Sequence, residues 1–85
     1  MVANDQSHTT IQIYLKQSYN TIHMQLGDKI RFARLEKKLS QEALARKVDI
    51  SLSYLFKVEK NIHTPTFDIM VKIADTLGVS LDSLR

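Results

Sequence analysis

SQEALARKVDISLSYLFKVEK, residues 40–60, is the stretch on which the fold turns. Ser40 suits an N-cap, because its hydroxyl can accept from one of the orphan N–H groups of a helix's first turn. Glu42 lies in that turn, where the helix dipole favours negative charge. The spacing predicts a short helix over Gln41–Lys47, with Ala43, Leu44 and Val48 as its inner stripe. Two turns of helix are too few to persist alone, so this one must pack on a neighbour. Asp49 stands where the chain must turn, and Ser51 caps a following helix over Leu52–Lys60, with Leu55, Val58 and the aliphatic part of Glu59 inward. Only about four residues separate the two helices, which forces a steep crossing.

The free side of the helix over Leu52–Lys60 carries the chemistry. At about 100° per residue, the direction opposite Leu55 and Val58 holds Ser53 and Lys57, flanked by Leu52, Tyr54 and Phe56. A helix of this size fits the major groove of B-DNA. There Lys57 can reach a guanine edge, Ser53 can donate or accept, and Leu52 or Phe56 can touch a thymine methyl group. Gln41, Ser51 and the amide groups that open both helices can meet phosphates. Lys60, Arg46 and Lys47 add cations around the same pair. Tyr54 and Phe56 on the outer face equally suit a protein-interaction module, such as a partner of a toxin or of the transcription machinery.

Working outward, Leu26, Ile30 and Ala33 fall at helical spacing and predict a helix over roughly 22–37, with Lys37 and Lys38 at its C-terminal end. Asn61 takes the position after a helix where a left-handed residue is common. His63-Thr64-Pro65 breaks the pattern. Thr66 caps a further helix with Ile69, Met70, Ile73, Ala74 and Leu77 as its buried face, Gly78 ends it, and Ser80 caps a last short helix containing Leu81 and Leu84. The first ten residues are polar and aperiodic. From Ile11 to Met24 both periods fit: Ile11, Ile13 and Leu15 alternate as in a strand, whereas Ile11, Leu15, Tyr19 and Ile22 make a helical stripe. The β-branched content of TTIQIY favours a short strand at about 10–16.

Totals narrow the function. Eighty-five residues make one small domain. The net charge of +3 is unevenly placed: residues 26–60 hold nine Lys or Arg against five Asp or Glu, residues 1–25 balance, and residues 61–85 sum to −1. A basic excess confined to one stretch suits a polyphosphate partner. The absence of cysteine removes disulfides and thiolate metal sites, and a cytoplasmic setting follows as the expectation. No apolar run approaches the about 18 residues a membrane span needs, and no secretory signal is evident. His8, His23 and His63 are scattered without a carboxylate partner, Ser40, Ser51 and Ser80 read as caps, and Gly27 and Gly78 form no phosphate loop. No enzyme, metal, cofactor or small-molecule substrate is expected.

In order and spacing, LGDKIRFAR, LSQEALARKV, SLSYLFKVEKN, TPTFDIMVKIADTLGVS and LDSL, within residues 26–84, resemble the lambda-repressor/Cro type of helix-turn-helix, the XRE family. The resemblance implies an all-α, compact five-helix domain over 26–85 that binds operator DNA as a two-fold dimer, with residues 1–25 as an N-terminal extension. It implies a transcriptional regulator of the repressor kind. Gln41 matches the position that holds a phosphate and braces the recognition helix. Ser51, Leu52, Ser53 and Lys57 match recognition positions, and with Tyr54 and Lys60 complete the expected DNA-binding set. Arg34 and Glu59 match a pair that ties the first helix to the recognition helix. Asp49 and Asn61 replace glycines common in the family, and Phe56 replaces a polar or small residue. Relatives often continue beyond the equivalent of Leu84 into an effector or oligomerisation domain.

Phe32 and Leu35 lie on the side of the first helix opposite Ile30 and Ala33. Beside an extension that contains Ile11, Ile13, Leu15 and Tyr19, they mark the face where the extension or a second subunit packs.

Overall fold

The structure, a computed structural model, describes residues 24–85. The strand expected at 10–16 and the start of the first predicted helix, residues 22–23, lie outside the described residues. Among those described, the elements are α1 (Leu26–Glu36), α2 (Gln41–Val48), α3 (Leu52–Glu59), α4 (Phe67–Leu77) and a single 3-10 turn over Leu81–Leu84. The all-α class holds. The fifth helix of the expected five is that 3-10 turn, because four residues close only one turn.

The caps explain why the elements start where they do. Ser40, Ser51, Thr66 and Ser80 are all extended, and each hydroxyl accepts from the N–H three residues on: Ala43 at 3.0 Å, Tyr54 at 3.0 Å, Ile69 at 3.3 Å and Ser83 at 3.2 Å. Each such cap is worth about 1 kcal/mol. The first helix opens at Leu26, later than periodicity suggests. Gln25 is extended, and its N–H donates to the Asp28 carboxylate at 3.2 Å, which fixes the boundary.

The ends rest on left-handed residues. Asp49 (φ 60°) ends α2, Asn61 (φ 63°) follows α3, and Gly78 (φ 68°) ends α4, as their residue types suggest. Lys38 (φ 59°) is a fourth that no residue preference announces. Its conformation lets the Leu39 N–H return to the Arg34 carbonyl at 3.2 Å and turns the chain into α2.

One core holds the elements together. Ile30, Leu44, Leu55, Ile73 and Leu77 are fully enclosed, joined by Ala33, Ala45, Val48, Val58, Ala74 and Leu84. α1 packs on α3, α2 on both α3 and α4, and the 3-10 turn on α1 and α4. Ala43, Ile69 and Met70, expected in the core, are only half buried, and Ala45 takes the inner position in place of Ala43. Met24, two residues before α1, is also buried.

Gly27 sets the distance between α1 and α3. A Cβ there would stand 2.2 Å from the Val58 carbonyl oxygen and 2.8 Å from that of Glu59. Glycine is what permits this approach.

Candidate DNA-recognition site

A buried network fixes α3 in place. Arg34 of α1 donates from Nε to Glu59 Oε2 at 2.7 Å and from Nη2 to Oε1 at 3.1 Å. Both side chains are almost fully enclosed, at 7% and 2% exposure. The arginine's Nη1 donates to the Leu39 carbonyl at 2.7 Å, so the guanidinium clamps the turn before α2 as well. Gln41 donates from Nε2 to Glu59 Oε1 at 2.9 Å. An ionised carboxylate only accepts, so Glu59 dictates which end of the Gln41 amide faces it. The expected pair does meet, and Gln41 braces α3. Only the depth of Glu59 differs: the whole residue is buried, not its aliphatic part alone.

α3 buries Leu55, Val58 and Glu59 and leaves Leu52, Ser53, Phe56 and Lys57 exposed, with Lys60 exposed just beyond it. Ser51 is exposed too, with its hydroxyl engaged as the cap. Tyr54 departs from the expected outer placement. It is half buried against the core, its ring meets His63 edge-on at 4.8 Å, and its hydroxyl is enclosed without a hydrogen-bond partner among the described residues. The helical wheel puts Tyr54 at the margin of the free face, and the loop carrying His63 closes over that margin.

Three contributors escape a reading of the sequence. Asn61, expected only as a backbone turn, accepts from the Gly27 N–H at 2.8 Å and donates to Asp28 at 3.3 Å, which locks the end of α3 to the start of α1. Its signal was the left-handed position, but nothing in the sequence names the partner 34 residues away. Gly27 is the second. Arg31 is the third: it lines an open groove of about 810 Å³ together with Gln41, Leu52, Phe56 and Lys60. Among the described residues, no three His, Asp or Glu side chains are grouped to hold a metal. No helix there is long and apolar enough to cross a membrane.

A sequence model of the helix-turn-helix family matches residues 30–84. The chain belongs to the helix-turn-helix family. The match includes α2, the turn and α3, as well as the elements that hold them. Within this helix-turn-helix family, the chain is similar to the control protein C.BamHI of Bacillus amyloliquefaciens, 36% identical over 61 residues that span 71% of this chain and 75% of that one. It is also similar to the immunity repressor protein of Bacillus phage phi105, 33% identical over 61 residues, 72% of this chain. The chain spans only 42% of the phage protein's length. The solved structure of the biofilm regulator SinR in complex with DNA superposes with a TM-score of 0.66 at 35% identity, across 69% of this chain and 95% of that one. Lambda/Cro-type architecture is therefore shared by sequence and by fold.

Proposed function

We propose that this chain is a DNA-binding transcriptional regulator of the repressor type, which inserts α3 into the major groove and acts as a homodimer in the cytoplasm. It is a regulator of its family, not an enzyme. The observation that carries the reading is the exposed face of α3 held on a buried Arg34–Glu59–Gln41 network. Such a network preorganises the reading helix, so little side-chain freedom remains to be lost when DNA binds. Lys57 and Ser53 face base edges, Gln41 and Ser51 face phosphates, and Lys60 adds charge at the end of the helix. Two copies on one duplex place their α3 helices about 34 Å apart, one turn of DNA.

The exposed apolar side chains of Leu52 and Phe56 favour a second reading, an interaction module for another protein on the same fold. Selection of bound duplexes from a random pool, followed by titration at two salt concentrations, decides between the two. An enriched palindromic site whose affinity falls steeply with salt is the expected result. Recovery of no enriched sequence, with binding indifferent to salt, sinks the DNA reading.

A further inference from the structure

α1 begins differently from the other elements. Ser40, Ser51, Thr66 and Ser80 each cap their own element. α1 instead starts after Gln25, which is not among the preferred capping residues. A helix start leaves its first N–H groups without partners inside the helix. In α1 one of these, the Gly27 N–H, donates to Asn61 Oδ1 at 2.8 Å, across 34 positions of sequence. Asn61 Nδ2 in turn donates to Asp28 Oδ1 at 3.3 Å. Both ends of one side-chain amide are thus engaged with the first turn of α1.

The backbone does not need asparagine here. Asn61 is left-handed (φ 63°), a conformation that glycine adopts at less cost. What asparagine adds is the amide. Its oxygen also occupies the space beside Gly27, where a Cβ would stand 2.6 Å from it.

The place of this tie gives it a consequence. Glu59 is held by Arg34, and Asn61, two residues later, is held by Gly27 and Asp28. Residues 27 and 34 lie about 10 Å apart along the axis of α1. A single anchor lets the end of α3 swivel about it, whereas two anchors at that separation fix the angle between α3 and α1. Resting on the reading of α3 as the helix that meets DNA, we propose that Asn61 is a positioning residue: its amide holds the angle of α3 on α1, and selectivity among duplexes depends on that hold. Hydrogen bonds to base edges are directional and tolerate a swivelled helix poorly. Charge attraction to phosphates, which carries non-specific binding, tolerates it well. This holds whichever side chains of α3 reach the bases.

The readout is the ratio of affinities for a duplex recovered by selection and for a random duplex, measured with the full chain at a temperature where every variant is folded. Asn61→Gly keeps the left-handed backbone and deletes the amide. The ratio should fall about 3- to 10-fold, the scale of one net hydrogen bond, with most of the loss on the selected duplex. Asn61→Asp keeps the acceptor for Gly27 but sets a second carboxylate against Asp28, and should lose selectivity as well. Adding Asp28→Asn restores the pair with donor and acceptor exchanged and returns the net charge to that of the parent, so the swapped double variant should regain the parent's ratio. A role confined to stability would move the melting temperature and both affinities but leave the ratio unchanged. A parental ratio in Asn61→Gly overturns the proposal, as does a swapped variant no more selective than Asn61→Asp alone. Amide hydrogen exchange probes the contact without DNA: the Gly27 N–H should exchange faster in Asn61→Gly than in the parent, and equal rates overturn the tie whatever the DNA result. A parent chain that protects the Gly27 N–H yet binds no duplex overturns the reading of α3 instead, and the role in selectivity with it.

Discussion

Glu59 is the residue on which most of the site depends. It neutralises Arg34, orients Gln41, and sits on the helix proposed to read DNA. Removing one member of a buried pair leaves the other charged and unpaired, at about 3–5 kcal/mol. Domains of this kind are stable by only about 5–15 kcal/mol in total. Glu59→Ala should therefore lower the melting temperature strongly, and Glu59→Gln, which can still accept from Arg34, should lower it less. Equal melting temperatures for parent and Glu59→Ala would show that the network carries no stability. Gly27 tests a different term. Glycine-to-alanine inside a helix ordinarily gains up to about 1 kcal/mol. Here the added Cβ would meet the Val58 carbonyl oxygen at 2.2 Å, and overpacking costs about 1–3 kcal/mol. The overlap is with backbone, which cannot rotate away, so the steric term wins. Gly27→Ala should destabilise the domain in denaturant titrations, and a stabilised variant would mean that α1 shifts at little cost.

At the scale of elements, α3 has two sides with separate jobs, and their separation predicts separable phenotypes. Lys57 is exposed and makes no part of the core. Lys57→Ala should cost about 1–3 kcal/mol on the specific site if the ammonium reaches a base edge, with a much smaller change on random duplex and none in the melting temperature. Equal losses on both duplexes would reduce Lys57 to a phosphate contact. The helices were legible because their signals are local: the caps Ser40, Ser51, Thr66 and Ser80 and the left-handed Asp49, Asn61 and Gly78 each stand within a few residues of what they terminate. The Arg34–Glu59 pair was legible only through resemblance to a family, since no local pattern joins residues 25 positions apart. What stayed hidden depends on how elements dock. Asn61 reaching Gly27, Ala45 displacing Ala43 from the core, and Tyr54 turning under His63 follow from the approach of α1 to α3, from the two neighbours of α2, and from the path of the loop after α3. The left-handed Lys38 is hidden for another reason: lysine has no preference for that conformation, and the fold imposes it.

At the scale of the whole molecule, the question is how one small domain gains enough contacts to select an operator. Under the proposed DNA reading, a single α3 would span a few base pairs, and two copies on a two-fold axis would double the reading. α1 offers one apolar surface for joining them. Phe32 and Leu35 of α1 are 37% and 49% exposed. Beside them, Met24, Phe32, Ala33, Val79 and Leu84 line a groove of about 170 Å³ between α1 and the 3-10 turn. Met24 is also where the described residues begin, and Ile11, Ile13, Leu15 and Tyr19 precede it in the sequence. Those side chains lie outside the described residues, and their part in a dimer is a matter for experiment. Deleting residues 1–20 keeps Met24 and every element of the core, so the shortened chain should fold and retain weak, salt-sensitive binding to DNA. It should lose dimerisation and, with it, tight operator binding. Sedimentation of the full and shortened chains, alone and on duplex, tests this. A full chain that stays monomeric at high micromolar concentration in both settings rules the dimer out. A shortened chain that still dimerises moves the interface off the extension, to a surface such as the 3-10 turn at Leu81–Leu84.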